Sequence, residues 1–380
     1  MTRIDRIELF PISIAYDHPE VSAQVNRGGV SDVVLRLSTS DGAVGWGECC
    51  SGADIHSVTA AARAMEPFVL GRSPWELDAM RRDVYWDGLW QFRKGTANFT
   101  WAGYEMALMD IQGKLAGRPV YELLGGKMRD SVDYFYYLSQ GPAASLVEQC
   151  QDGLAKGFHV FYLKVGLDMD KELAMVKAIR DAIGPGNKIR LDANTAWTLP
   201  QAKKNLSRLE EYDIEFLEGP VVPDVEAMNE LKRHQFSIGL CLNEGLWTRE
   251  EVLRHISSLS ADYLNYSPYW VGSFFDFKCL SSLAAMKGIP TCKHTHGEFS
   301  ISAMANHHAL LNLPSITDGN QQTAYLMRDD IVDGGIPIQH GPSWGIPQGS
   351  GLCLSVDEDK LRFYAKQFKT TGQFLPYGER

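Results

Sequence analysis

From about Asp130 onward, short apolar runs alternate with longer stretches whose apolar positions recur at helical spacing, a pattern that predicts repeated strand-helix units around a parallel sheet. The strand-like runs are 132–137, 160–165, 188–192, 214–218, 237–242, 263–266, 289–294 and 315–318. Eight parallel strands with helices between them suggest a closed barrel. The helical intervals are legible where stop signals flank them. Leu173, Val176 and Ile179 form one apolar stripe, ended by Gly184-Pro185-Gly186.

Before Asp130 the pattern changes. Residues 32–39 and 44–48, joined across Asp41-Gly42, read as an antiparallel hairpin, and 58–70 and 101–115 carry helical periodicity. This predicts a separate α+β unit over residues 1–125, placed against a barrel of residues 126–334. Beyond the barrel come Gly334-Gly335-Ile336-Pro337 and Gly345-Ile346-Pro347-Gln348-Gly349, then Leu352 to Val356 and a helix-like run from Asp357. Residues 335–380 are expected to return to the first unit and complete it.

Composition narrows the class. With 380 residues, 44% hydrophobic and 22% charged, the chain has the makeup of a large globular core, which excludes a disordered or fibrous protein. Its net charge of -10 lacks the cationic surface that unspecific nucleic-acid binding requires, so no nucleic-acid partner is expected. No stretch approaches the roughly 20 unbroken apolar residues of a membrane span. The opening Met1-Thr2-Arg3-Ile4-Asp5-Arg6 is charged where a signal peptide would be apolar, and a cytoplasmic protein without membrane contact is expected. The seven cysteines have no Cys-x-x-Cys spacing, which suggests buried free thiols rather than a disulfide framework or a zinc ribbon.

The chemistry is carried by charged residues at strand ends. Asp192, Glu218 and Glu244 each close an apolar run, at intervals of 26 residues, one strand-helix unit apart. Carboxylates at equivalent ends of neighbouring parallel strands share one rim, at a strand spacing of about 5 Å. Three like charges there call for a hard divalent cation with oxygen ligands, which suits Mg²⁺. Asn194 leaves the same rim beside Asp192 and would hold water or steady a ligand. Lys164 ends the preceding strand. Beside a divalent cation its ammonium form is disfavoured, which makes it a usable base. His294 ends the seventh strand, Ser267 the sixth and Asp318 the eighth. Lys164 and His294 would then flank the metal from opposite sides, with the rim lysine that merely snorkels to solvent and the hydrogen-bonded rim histidine as the bland readings. Tyr134, Tyr136, Tyr269 and Trp270 flank strand ends and either pack or enclose a cationic ligand.

A divalent cation held by carboxylates beside a weak base suits removal of a proton from carbon next to a carboxylate, because the cation stabilises the charge that builds on the carboxylate oxygens. At this point the sequence resembles the enolase superfamily, in its mandelate racemase and muconate lactonizing group. The resemblance rests on Gly45-Trp46-Gly47-Glu48, Met106 to Ile111, Pro119 to Gly126, Leu191-Asp192-Ala193-Asn194, Phe216 to Pro220 and Asn243-Glu244-Gly245-Leu246-Trp247. It implies a modified (β/α)7β TIM-type barrel with an α+β N-terminal capping domain, whose loops around Ala15 to Gly29 and Gly47 to Ile55 close over the substrate. It also implies Mg²⁺ on Asp192, Glu218 and Glu244, with Glu244 rather than Asn243 as the third ligand.

The departures are informative. Tyr162 stands where many relatives carry the first lysine of a Lys-x-Lys pair, and Ser267 stands where relatives carry a lysine or an aspartate. Asp318 falls near the position of a family acid that binds the substrate carboxylate. Lys164, His294 and Tyr162 are thus the expected catalytic set, and Asp318, Asn194, Ser267 and Trp270 the expected substrate contacts. The expected activity is that of a lyase or isomerase on a small carboxylate. Dehydration of a hydroxy or sugar acid comes first. The alternative is a racemase, epimerase or cycloisomerase acting on an amino-acid, betaine or other carboxylate. By the same resemblance the chain is expected to form a symmetric homo-oligomer.

Overall fold

The computed structural model describes residues 2–50, 54–88, 92, 94–335 and 341–375. The chain opens with an antiparallel sheet of β1 (Ile4–Val21), β2 (Asn26–Thr39) and β3 (Val44–Cys50), in the order β1-β2-β3, so the expected hairpin is present with a longer strand before it. Three helices follow: α1 (Ile55–Val69), α2 (Leu77–Asp87) and α3 (Lys94–Ala116). Helix α3 is buried along most of its length and lies against β3. The glycines of Gly45-Trp46-Gly47 permit that approach. A Cβ on Gly47 would overlap the Gly103 carbonyl oxygen, and one on Gly45 the Ala107 carbonyl.

The short helix α4 (Val120–Leu123) leads to β4 (Ser131–Asp133) and the parallel sheet. That sheet is β5 (Tyr136–Leu138), β6 (Val160–Lys164), β7 (Lys188–Asp192), β8 (Ile214–Glu218), β9 (Gly239–Leu242), β10 (Tyr263–Tyr266) and β11 (Thr291–Lys293), each strand paired with the next in the chain. Helices α5 (Ala143–Ala155), α6 (Met169–Ile183), α7 (Leu199–Leu209), α8 (Val225–Lys232), α9 (Arg249–Ser258), α10 (Pro268–Val271) and α11 (Phe274–Met286) fill the intervals, with α12 (Ser300–Asn312) after β11. Strands such as Val160-Phe161-Tyr162-Leu163-Lys164 are buried at every position, as expected of a parallel sheet covered on both faces. Helix α6 ends at Gly184, whose φ of 72° is the left-handed conformation that glycine tolerates.

Two expected strands differ. The run 132–137 is two pieces: β4 pairs antiparallel with β12 (Ser343–Gly345), and only β5 joins the parallel sheet. The eighth run, 315–318, forms no strand, because the left-handed Gly319 (φ 64°) turns the chain before a ladder can extend. Its backbone bonds still link the sheet's two ends. Thr317 N–H donates to the Thr291 carbonyl (2.9 Å) and Gln321 N–H to that of Lys293 (2.8 Å), while Asn320 N–H donates to the Asp133 carbonyl (2.8 Å) and the Asn320 carbonyl accepts from Phe135 N–H (3.1 Å). The sheet therefore curls, with segment 315–321 between β11 and the chain before β5.

The tail returns to the N-terminal sheet. Leu352 N–H donates to Asp110 Oδ1 on α3 (2.8 Å), α13 (Glu358–Thr371) packs on β1, and Phe374 N–H donates to Ser31 Oγ (2.8 Å). Parts of the Gly334 to Pro337 and Gly47 to Ile55 runs, residues 336–337 and 51–53, lie outside the described residues. Among the described residues no helix is long and apolar enough to cross a membrane.

Candidate active site

Parallel pairing brings the strand ends together. Lys164 lies opposite Asp192 in the β6–β7 ladder, and Asp192 opposite Glu218 in the β7–β8 ladder. Glu244 and His294 follow the ends of β9 and β11, on the same rim. Lys164 Nζ donates to Asp192 Oδ2 at 2.5 Å. Tyr162 OH donates to the same oxygen at 2.6 Å and to Glu218 Oε2 at 3.4 Å. Asn194, left-handed at φ 42°, donates its backbone N–H to Asp192 Oδ1 (2.8 Å) and its side-chain Nδ2 to Glu244 Oε1 (2.9 Å). Asn243 turns away, donating to the Asn265 carbonyl at 2.7 Å, which leaves Glu244 as the carboxylate on the rim.

The three acids share the rim, as the strand intervals lead one to expect. Among the described residues, the group of three ligating side chains whose donor atoms all lie within 4.8 Å is Asp32, Glu48 and Cys50. At the rim, Lys164 and Tyr162 bond to Asp192, and Asn194 bonds to Glu244. One oxygen of each glutamate, Glu218 Oε1 and Glu244 Oε2, is buried with no hydrogen-bond partner, as is Asn194 Oδ1.

Electrostatics follow from burial. Burial, then the charge of Asp192, pushes the Glu218 carboxyl well above the usual range. The same two causes raise Glu244 to about 7. At Lys164, burial works against the ammonium, but Asp192, Glu20 and Glu218 outweigh it and hold the proton on. His294 is driven the other way, well below its ordinary value, by burial and then by His296, Lys164, Lys293 and Arg27. It is a neutral imidazole whose Nδ1 is buried without a partner.

Several expected contacts take other places. Asp318 is not at this rim. It pairs with Lys188 (2.8 Å), His159 (3.3 Å) and Arg190 (3.4 Å), and Lys188 and His159 mark the beginnings of β7 and β6, so it lies at the opposite end of the sheet. The bend at Gly319 carries the chain on, and Gln321 reaches the rim instead, its Nε2 donating to Glu218 Oε2 at 2.9 Å. Ser267 is fully buried and donates to the His294 carbonyl at 2.5 Å, so it steadies the strand end rather than facing the mouth. Tyr162 is also buried, with its hydroxyl committed to the carboxylates beneath the rim. Trp270 packs its ring 4.4 Å from that of His294 and donates its indole N–H to His296 Nε2 at 3.1 Å. Tyr134 and Tyr136 bond to His307 and Asp152, and Tyr269 bonds to the His294 carbonyl; these rings pack and form no cage for a cation.

The tip of the β1–β2 hairpin reaches the rim as the expected loop around Ala15 to Gly29 would. Gln24 donates to the Asn194 carbonyl and to Thr195 Oγ1 (3.0 Å), and Arg27 pairs with Glu20 at 2.6 Å. Gln24, Glu20, Arg27 and Gln321 carry no periodic signal, because hairpin tips and bent segments have none. His296 lies two residues beyond His294 in His294-Thr295-His296, where no strand interval singles it out.

Family comparison agrees with this architecture. Residues 7–125 match the mandelate racemase / muconate lactonizing enzyme N-terminal domain, and residues 145–360 match the enolase C-terminal domain-like family. The chain is 25% identical to an N-succinyl-L-Arg/Lys racemase of Bacillus cereus, over 95% of this chain and 97% of that one. It is 28% identical to an arabinonate dehydratase of Saccharolobus solfataricus, over 87% and 90%. An enolase from Thermobispora bispora, solved with magnesium and formate, superposes with a TM-score of 0.88 at 25% identity, covering 99% of this chain and 96% of that one. The two domain matches together span most of the chain, and it belongs to the enolase superfamily, within the mandelate racemase and muconate lactonizing group, as one of its lyases or isomerases.

Proposed function

We propose that this protein removes the α-proton of a small hydroxylated carboxylate, giving an enediolate, and then expels the β-hydroxyl as water. The placement of Lys164 and His294 on one rim with Asp192, Glu218 and Glu244 carries the reading. In this reading the sheet and segment 315–321 make a (β/α)7β barrel over 126–334, and residues 1–125 with 335–380 make its cap.

The donor set fits a hard divalent cation. Glu218 Oε1 and Glu244 Oε2 are buried acceptors without partners, and burial disfavours the charge on these two carboxyls unless a cation neutralises it. Asp192, Glu218 and Glu244 would hold Mg²⁺, which supplies Lewis-acid stabilisation of charge on the substrate carboxylate. The carboxylates that now hold the Lys164 ammonium would then be largely neutralised, and its pKa would fall toward that of a working base. Tyr162 keeps Asp192 and Glu218 aligned. His294 delivers a proton to the leaving hydroxyl once substrate charge has raised its affinity for one.

The neutral resting state of His294 also favours a second reading. An unprotonated imidazole is a base, so Lys164 and His294 could exchange one proton on opposite faces of the α-carbon, as a racemase or epimerase requires. Incubating the protein with Mg²⁺ and a library of C4 to C6 sugar acids in deuterated water separates the two. Appearance of 2-keto acids supports dehydration, and deuterium at the α-carbon without loss of water supports the second reading. Neither product from any carboxylate tried refutes both.

A further inference from the structure

Two histidines stand on the mouth, and the proposed reaction uses one of them. His296 meets His294 edge to face, with ring centroids 4.8 Å apart, and is enclosed by Phe99 (5.7 Å), Tyr269 (6.0 Å) and Trp270 (5.2 Å). An indole N–H can only donate, so the 3.1 Å bond from Trp270 Nε1 makes His296 Nε2 an acceptor. A neutral ring whose Nε2 accepts carries its proton on Nδ1. That nitrogen has no partner among the described residues. Where His294 is buried, His296 is only partly so.

We propose that Trp270 holds His296 as the neutral Nδ1–H tautomer, and that this N–H donates a hydrogen bond to an uncharged oxygen of the substrate, a hydroxyl of a polyhydroxylated acid. The proposal rests on the carboxylate reading above and names the residue that would select among such acids. Trp270 is the positioning residue and His296 the one that touches substrate. The groups facing His296 reinforce a neutral ring. Arg27 on β2 and Lys164 on β6 are cationic, Lys293 at the end of β11 has its ammonium disfavoured by burial, which lowers it to about 7, His294 beside it is neutral, and the enclosing rings Phe99, Tyr269 and Trp270 carry no charge. Burial and those cations depress its pKa to about 3. A donor that stays uncharged across the working pH reads a hydroxyl without adding a cation beside Lys164, where it would compete for the substrate carboxylate.

Ring ¹⁵N spectra of histidine-labelled protein with Mg²⁺ test the tautomer without a known substrate, the His296 signals being identified by their loss in His296→Asn. The expected result is protonated Nδ1 and bare Nε2 from pH 5.5 to 8. Trp270→Phe, which keeps an aromatic ring but removes the donor, should give a tautomer mixture. A proton on Nε2, or a Trp270→Phe spectrum like wild type, would overturn the assignment. Kinetics on a turned-over sugar acid test the contact. His296→Phe should raise KM by about tenfold, the worth of one hydrogen bond, with a smaller change in kcat, and substrate lacking the contacted hydroxyl should show no such penalty. His296→Asn, which keeps an N–H at the δ position, should recover most of the loss. An unchanged KM in His296→Phe, with wild type active, sinks this contact alone. If wild type turns over no acid, the reaction assignment fails, and each sugar acid is then titrated into labelled protein, where a His296 Nδ1 shift supports the contact and none from any of them overturns it.

Discussion

Glu105 on α3 is a buried acid with little to compensate it, and the cost should be measurable as pH-dependent stability. Its Oε2 accepts from Phe274 N–H at 3.1 Å and its Oε1 from Ser273 Oγ at 3.4 Å, and only 2% of the residue is exposed. The nearby Arg81 is already committed to Asp276 (3.0 Å) and to Ser273 Oγ (2.7 Å). Burial therefore dominates and lifts the Glu105 pKa from 4.5 to about 8, against the lowering effects of Arg81 and the Phe274 N–H. A folded-state value above the unfolded one means that the native state binds the extra proton. The associated stability is fully present below about pH 4.5 and is lost as pH rises through 8. At 1.36 kcal/mol per unit, that window is worth about 4 to 5 kcal/mol.

Glu105→Gln keeps the shape and the acceptor for Phe274 N–H while removing the charge. Chemical denaturation of both proteins from pH 5 to 9 yields a difference curve in which the titrations common to both cancel. The variant should be close to wild type near pH 5 and gain several kcal/mol by pH 8.5, with most of the rise between 5 and 8. A flat difference, or one that favours wild type at high pH, would refute the burial argument.

Other changes bear on the rim and its support. Lys164→Met should abolish deuterium exchange at the substrate α-carbon while leaving melting temperature unchanged and Mg²⁺ affinity equal or higher, since Asp192 Oδ2 loses its ammonium partner; undiminished exchange removes Lys164 from the role of base. Chelation by EDTA should abolish turnover and added Mg²⁺ restore it, with full activity in chelator arguing against the carboxylate site. Gln321→Leu takes a donor from Glu218 Oε2 and should weaken activity or Mg²⁺ binding by about tenfold, the worth of one hydrogen bond to a charged group, with no change expected in Asp318→Asn at the far end of the sheet. Gly47→Ala drives a methyl into the Gly103 carbonyl and should cost about 1 to 3 kcal/mol, read from denaturation midpoints.

Spacing made the architecture legible because the parallel sheet repeats one unit. A strand buried on both faces, followed by an amphipathic helix, leaves the same trace at each turn of the chain, and Lys164, Asp192, Glu218 and Glu244 fell into place by interval alone. The reading failed where that regularity ends. Ser315 to Asp318 has the apolar trace of an eighth strand, but Gly319 turns left-handed just past it, so Asp318 ion-pairs with bases at the strand beginnings and Gln321 takes the rim. Ser267 and Trp270 follow strand ends as expected, but their polar atoms bond the His294 carbonyl and His296 Nε2, and a strand-end position does not say whether a side chain meets a substrate or a neighbour. Gln24 and Arg27 come from a hairpin tip, Gln24 lying 170 residues before the Asn194 it meets, and no local pattern encodes such a meeting. The residues proposed to bind and move a proton thus sit on the repeating frame, where counting finds them. Gln24, Arg27 and Gln321, which close on that rim, come from the bends and tips that the count cannot reach, so the reaction class is legible in the sequence and the substrate is not.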